Sequence, residues 1–180
     1  MGPALRFAIG LYVALAVIGL AWMGWRGDDL GSILWGRSWT LALPAGLGFA
    51  VVVVLISDGI LERFPWTRLL RREVRTAFHP ITRKAALAIA LLSGIGEELF
   101  FRGALQPAIG WVAASLVFGA LHTSFDRQLI GWTLFATAVG LGLGALFEAT
   151  GGLLAPILAH GAVNAVQLVR LATTRHPRVD

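Results

Sequence analysis

Apolar residues run almost unbroken through six stretches of the chain, at about 5–25, 38–61, 85–106, 108–123, 128–148 and 152–171, with polar residues gathered between them. A bilayer core of about 30 Å takes roughly 20 apolar residues of helix, so all but the short fourth stretch have spanning length. The pattern predicts an all-α fold, a polytopic membrane helix bundle of about six transmembrane segments, built as a single domain over 1–180 without internal repeats. The fourth segment is short enough to be partly re-entrant. Pro107 follows the third segment and Gly151-Gly152 separates the fifth from the sixth. Pro44 and Pro156 are expected in the first turns of their helices, where a missing N–H costs least. The first segment is too long, and too rich in tryptophan at its end, for a signal peptide, and is expected to be retained.

Composition agrees: 57% of the 180 residues are hydrophobic and 14% charged, with a mean hydropathy of +0.75. That balance belongs to an integral membrane protein. The absence of cysteine excludes disulfides, thiolate metal sites and a cysteine nucleophile.

A net charge of +5 raises the question of nucleic acid, and the distribution of that charge answers it. Arg63, Arg68, Arg71, Arg72, Arg75, Arg83 and Lys84 all lie between the second and third segments. With six spans and the N-terminus inside, these seven join Arg6, Arg127, Arg170, Arg175 and Arg178 on the cytoplasmic side, while only Arg26 and Arg37 lie outside. The positive-inside rule therefore selects an N-in, C-in orientation, as in a bacterial inner membrane. The 62–84 stretch is expected to be a loop that lies on anionic headgroups of the lipid bilayer. No base-reading motif accompanies the charge, so no nucleic-acid partner is expected.

Within the third segment, "GIGEELFFRGAL" (Gly94–Leu105) sets two glutamates and an arginine at membrane depth. Each such group costs about 2.5–3.5 kcal/mol at a helix centre, which makes it a candidate for function. Glu98 and Arg102 are i and i+4 with the acid N-terminal, the better orientation for a same-face ion pair. Glu97 lies about 100° round the helix and is free to face elsewhere. Spacing thus assigns Glu98–Arg102 as a structural brace and Glu97 as a reactive carboxylate. The alternative is a buried network that only locks helices together.

Two further constellations weigh against a purely structural network. "FGALH" places His122 near the end of the fourth segment, and "HGAVN" places His160 and Asn164 one turn apart on one face of the sixth. Gly94, Gly96, Gly103, Gly119 and Gly161, beside these groups, would permit close helix approach. Counted at 1.5 Å per residue, Glu97 lies roughly 20 Å from Lys84 and His160 roughly 12 Å from Gly152, nearly the same level in a core of about 30 Å. His122 fits less well, falling about 21 Å from Ala108 and closer to the cytoplasm, unless the fourth segment is tilted or re-entrant.

In order along the chain, "EELFFR" fits Glu-Glu-x-x-x-Arg, "FGALH" fits Phe-x-x-x-His and "HGAVN" fits His-x-x-x-Asn. Together these motifs, within 85–171, resemble the CPBP family of intramembrane proteases, which contains Rce1-type CAAX prenyl endopeptidases and bacterial Abi-like proteins. The resemblance implies an intramembrane glutamic endopeptidase acting on a membrane-associated peptide or protein, such as the C-terminal anchor or tail of a sorted protein. It implies catalytic roles for Glu97, His122, His160 and Asn164. Glu97 and His122 would polarise a water, Glu97 taking its proton, and His160 and Asn164 would stabilise the oxyanion. No cofactor is expected. The alternative is a zinc site formed by Glu97, His122 and His160, with water as the fourth ligand, but no His-Glu-x-x-His pair is present.

Other polar residues take simpler readings. His79 and His176 are expected to be solvated, and Asp58 and Glu148 to anchor helix ends at the interface. Ser93, Ser115 and Ser124 lack the partners of a nucleophile. The seven tryptophans, including Trp66, Trp111 and Trp132, fall mostly near proposed interfaces. Two competing functions are a non-catalytic Abi-like immunity or binding protein and a proton-coupled transporter relaying through Glu97 and His160. The sequence does not indicate an oligomeric state. From the charge asymmetry, a topology reporter fused after Arg178 is expected to read cytoplasmic, and an external reading would overturn the N-in, C-in arrangement.

Overall fold

The computed structural model describes residues 2–59, 61–123 and 126–173, all of whose regular structure is helical. Ser124, Arg175, His176 and Arg178, named above, lie outside the described residues. Helix α1 (Pro3–Arg26) opens on a proline, whose fixed φ suits a first turn, and ends at Gly27 with φ +80°. The short α2 (Leu30–Trp35) is capped by Asp29, whose carboxylate accepts from Gly31 N–H. The Ser32 hydroxyl, the largest influence, and the Ser32 and Gly31 N–H groups hold the Asp29 carboxyl below its usual pKa. Helix α3 (Trp39–Gly59) follows, then a 3-10 turn (Leu61–Arg63) and α4 (Pro65–Phe78).

The predicted third segment forms one continuous run: α5 (Arg83–Glu98), a π-helical turn (Leu99–Leu105) and α6 (Gln106–Ile109). Helix α7 (Trp111–Leu121) returns, and a 3-10 turn (Arg127–Leu129) leads into α8 (Ile130–Thr150). Gly151, at φ +71°, closes α8 before α9 (Leu154–Thr173).

Four helices are long and apolar enough to cross a membrane: α1, α3, α8 with its preceding 3-10 turn, and α9. Of the about six segments expected, four are spans of that kind, and the other two are the charged α5–α6 run and α7. Helix α7 has eleven residues and reaches only about 16 Å, short of a 30 Å core. Two further expectations change. Pro44 sits inside α3 rather than in its first turn, because the helix already begins at Trp39. The 62–84 stretch is mostly the amphipathic α4 rather than a loop.

Pro107 does not end the third segment. Helix α6 runs on to Gly110, whose φ of +88° breaks it. Proline lacks the N–H that would bond the carbonyl four residues back, here Gly103. In the π turn, Gln106 N–H instead reaches Phe101 O. The Gly103 carbonyl accepts from Arg26 Nη2 at 2.7 Å and Ala104 O from Arg26 Nη1 at 2.9 Å. Arg26, assigned to an outer loop from sequence, thus supplies donors that the backbone lacks, while Asp28 neutralises it.

The bundle is apolar outside and polar within. Phe7, Val17, Leu41, Val51 and Leu55 of α1 and α3 are exposed, whereas Ser93, Glu97, Glu98, Arg102, Gln106 and His160 are buried. Between helices, Met23, Leu99, Ala104 and Leu153 form one apolar cluster, and Phe101, Phe118 and Ala136 another. Bare backbone sets the closest approaches. A Cβ at Gly94 would lie 2.8 Å from Gly161 N, joining α5 to α9, and one at Gly96 would meet Tyr12 O of α1. Gly48, on the exposed side of α3, has nothing within 4 Å.

Gly94→Ala should accordingly lower thermal stability in detergent by about 1–3 kcal/mol, the range for overpacking, while Gly48→Ala leaves it unchanged or slightly higher. Equal melting temperatures for the two variants would contradict the α5–α9 contact.

Candidate active site

The last turn of α5 points its neighbouring glutamates in different directions, as their 100° separation requires. Glu98 is fully buried, and its Oε1 accepts from Arg102 Nη1 at 3.2 Å. The same oxygen lies 2.7 Å from Nδ1 of His160 on α9. Arg102 Nη2 donates to Gly140 O of α8 at 2.9 Å, and its guanidinium carbon lies 4.6 Å from the centre of the Phe118 ring. One arginine thereby joins the π turn, α7 and α8 through a carboxylate, a carbonyl and a ring face.

A polar ladder continues from this brace. Glu98, Arg102 and Gln106 recur every four residues. Gln106 Nε2 donates to Gly144 O at 3.2 Å and to Glu148 Oε1 at 2.8 Å. The acceptors Gly140 and Gly144 are also four apart and lack side chains; a Cβ at Gly144 would lie 2.9 Å from Gln106 Oε1. Glu148 therefore holds a helix end together with Gln106. Asp58 pairs with Arg170 at 2.5 Å.

Glu97 faces the histidines. Its Oε2 is buried with no hydrogen-bond partner in the protein, 3.8 Å from His122 Nε2 and 4.0 Å from His160 Nε2. His122 caps the C-terminus of α7, and its Nδ1 lies 2.8 Å from Phe118 O. A carbonyl only accepts, so Nδ1 carries a hydrogen and the ring turns Nε2 toward Glu97. His160 is oriented similarly through Nδ1, with Glu98 as its partner. The structure brings Glu97, His122 and His160 together, and the depth mismatch counted for His122 disappears. That count assumed a start of α7 at the outer surface, whereas α7 follows α6 at the Gly110 turn and its far end meets Glu97.

Asn164, one turn beyond His160, donates from Nδ2 to Ser93 Oγ at 2.8 Å. Ser93 in turn donates to Ala90 O at 3.1 Å. Ser93 and Glu97 on α5 thus face Asn164 and His160 on α9, with the Gly94–Gly161 contact between the same helices. Ser115 donates to Trp111 O within α7.

Sequence reasoning did not assign Ser93, Phe118 or Trp132 to this site. Ser93 precedes Glu97 by four residues, which was a usable signal. Phe118 gives Phe-x-x-x-His a physical meaning: its carbonyl orients His122, and its ring stacks 4.3 Å from the imidazole while covering Arg102. Trp132 of α8, half-buried, meets His122 edge-on at 5.7 Å between ring centres.

Two imidazole nitrogens and a carboxylate are competent zinc donors, but their spacing is wide. Ligands 2.0–2.1 Å from one tetrahedral zinc stand about 3.4 Å apart, against the 3.8 and 4.0 Å found here. Among the described residues, no group of three or more His, Cys, Asp or Glu is arranged to hold a metal ion. The residues as placed do not fit zinc without moving inward.

Comparison with known proteins covers the same region. The family model "Type II CAAX prenyl endopeptidase Rce1-like" matches residues 79–166, which include every residue from Ser93 to Asn164 discussed above. A Bacillus subtilis (strain 168) protein, "Uncharacterized protein YpbD", is 36% identical over 124 residues, covering 67% of this chain and 64% of that protein, less than two thirds of its length. No solved structure gives a significant match. The Rce1-like family model thus matches just under half of the chain, over residues 79–166, and the Glu97–His122–His160 cluster lies within that match.

Proposed function

We propose that the protein is an intramembrane endopeptidase of the membrane in which it is embedded, hydrolysing a peptide bond of a membrane-associated peptide or protein through a glutamate-activated water. The observation that carries this reading is Glu97 Oε2, buried, unpartnered and shared between two Nε2 atoms. A water about 2.8 Å from groups 3.8–4.0 Å apart subtends angles of roughly 90°, within its hydrogen-bonding range. It would donate one hydrogen to Glu97 Oε2 and the other to His122 Nε2, leaving a lone pair for a substrate carbonyl.

As the water oxygen bonds to the carbonyl carbon, Glu97 takes the proton. It returns that proton to the amide nitrogen as the C–N bond breaks, giving a carboxyl and an amine. Negative charge develops meanwhile on the carbonyl oxygen. Two carboxylates against one guanidinium leave one negative charge at the site, which a doubly protonated His160 balances. Its Nε2–H then joins Asn164 in stabilising the oxyanion. Asn164 has two amide hydrogens and Ser93 accepts one, so the second is available. Glu98 and Arg102 act by holding His160 and α8 in place.

Glu97→Gln should abolish cleavage while the protein accumulates and melts as wild type does. Glu98→Gln should instead reduce folded protein by about 3–5 kcal/mol of stability, because it leaves a buried guanidinium without its counter-ion. Equal loss of accumulation in both variants would refute the division of labour.

Asn164→Ala should lower kcat by roughly 10²–10³ with KM nearly unchanged, the effect of losing one oxyanion donor. Ser93→Ala, which removes only the anchor, should cost less. One tightly bound zinc per chain in active detergent-solubilised protein, together with zinc-restorable inhibition by a chelator, would replace this mechanism with a metal-dependent one.

A further inference from the structure

Helix α4 is strongly two-sided. Arg68, Arg71, Arg72 and Arg75 fall within a sector of about 100° on a helical projection. Arg68, Arg71 and Arg72 are exposed and Arg75 is half-buried. The helix has one acidic residue, Glu73, and the neighbouring Glu62 pairs with Arg71. Trp66, Leu70 and Val74 occupy another side and are half-buried.

That apolar side meets the bundle where α8 begins. A Cβ at Gly131 would clash with the indole of Trp66, lying 2.5 Å from its Cδ1, so the ring fits only because residue 131 is glycine. Trp66 lies 6.3 Å from Phe135, Phe135 lies 6.2 Å from Trp132, and Trp132 lies 5.7 Å from His122. Four rings therefore run in contact from the underside of the basic helix to the histidine beside Glu97. One 3-10 turn separates helix α4 from the end of the spanning helix α3, where the basic residues are expected to meet the headgroups.

We propose that the arginine face of α4 is a binding site for anionic phospholipid headgroups, and that a lipid held there fixes Trp66 and, through Phe135 and Trp132, the position of His122. Charge complementarity selects the ligand: several guanidiniums in one exposed sector, beside spanning helices, match phosphates presented in a plane. Arginine binds each phosphate through two parallel N–H donors, which a zwitterionic surface offers less net charge to attract. The effect on His122 rests on the hydrolytic function proposed above, whereas the lipid site does not.

The test uses the full-length protein in nanodiscs of phosphatidylcholine alone or with phosphatidylglycerol. Lipid retained after detergent extraction should be enriched in phosphatidylglycerol for the wild type, and Arg68→Gln/Arg71→Gln/Arg72→Gln should lose most of that enrichment. Added salt should weaken it in the wild type. In the same discs, phosphatidylglycerol should raise kcat several-fold for the wild type and leave the triple variant at the phosphatidylcholine level. Trp66→Ala should keep the lipid preference and lose the rise in kcat.

Equal retention of the two lipids, or undiminished enrichment in the triple variant, would overturn the site. So would tighter binding of a single-stranded oligonucleotide than of phosphatidylglycerol. Enrichment with no effect on kcat in an active enzyme would overturn the link through the rings. Enrichment in a protein without peptidase activity would leave the lipid site standing and remove the proposed function instead.

Discussion

Glu98 Oε1 accepts from Arg102 Nη1 and lies 2.7 Å from His160 Nδ1, in a place where Glu98 and Arg102 have almost no exposed surface. A carboxylate so buried is tolerated only where its charge is answered by donors of fixed geometry. Answering it draws the π turn to α5 and brings α9 alongside. Arg102 then has donors left over, and the Gly140 carbonyl takes one of them. The position of α8 is thus linked to the same carboxylate. The outward-facing apolar side chains would suit many arrangements of helices in lipid, whereas this polar contact suits very few.

Charge pairing at the brace also explains why Glu97 differs from its neighbour. Glu98 takes the charge of Arg102 and one nitrogen of His160, leaving Glu97 to face imidazole nitrogens whose other side is already committed. His122 is held by the Phe118 carbonyl and His160 by Glu98, so both rings offer Nε2 in the same direction. Close backbone contact at Gly94–Gly161 keeps α5 and α9 near enough for this geometry. Arg26, paired with Asp28, acts at the far end of the same run, supplying donors where Pro107 and the π turn leave carbonyls short of them.

Much of this was legible in the linear order of residues. The apolar runs gave an all-helical membrane bundle because backbone groups in lipid must be satisfied within the helix itself. Helical periodicity separated Glu98 and Arg102 from Glu97, since it is a local property of the chain. Glu97, His122 and His160 stood out because ionisable groups are rare in apolar segments, a statement about single positions.

What the sequence left undecided were relations between segments. Two readings failed for that reason: 62–84 as a loop and Pro107 as an end. Interrupting hydrophobicity is not the same as interrupting a helix when Arg26, more than seventy residues away, replaces the missing donor. The approach of His122 to Glu97 is a contact between α7 and α5, which apolar length does not fix. The contact of Trp132 with His122 was not legible because hydropathy says nothing of which ring a tryptophan meets. Local energetics, read residue by residue, determined the helices and the candidate chemistry. Contacts between distant residues determined which atoms meet, because hydrogen-bond and ion-pair geometry is satisfied only in three dimensions.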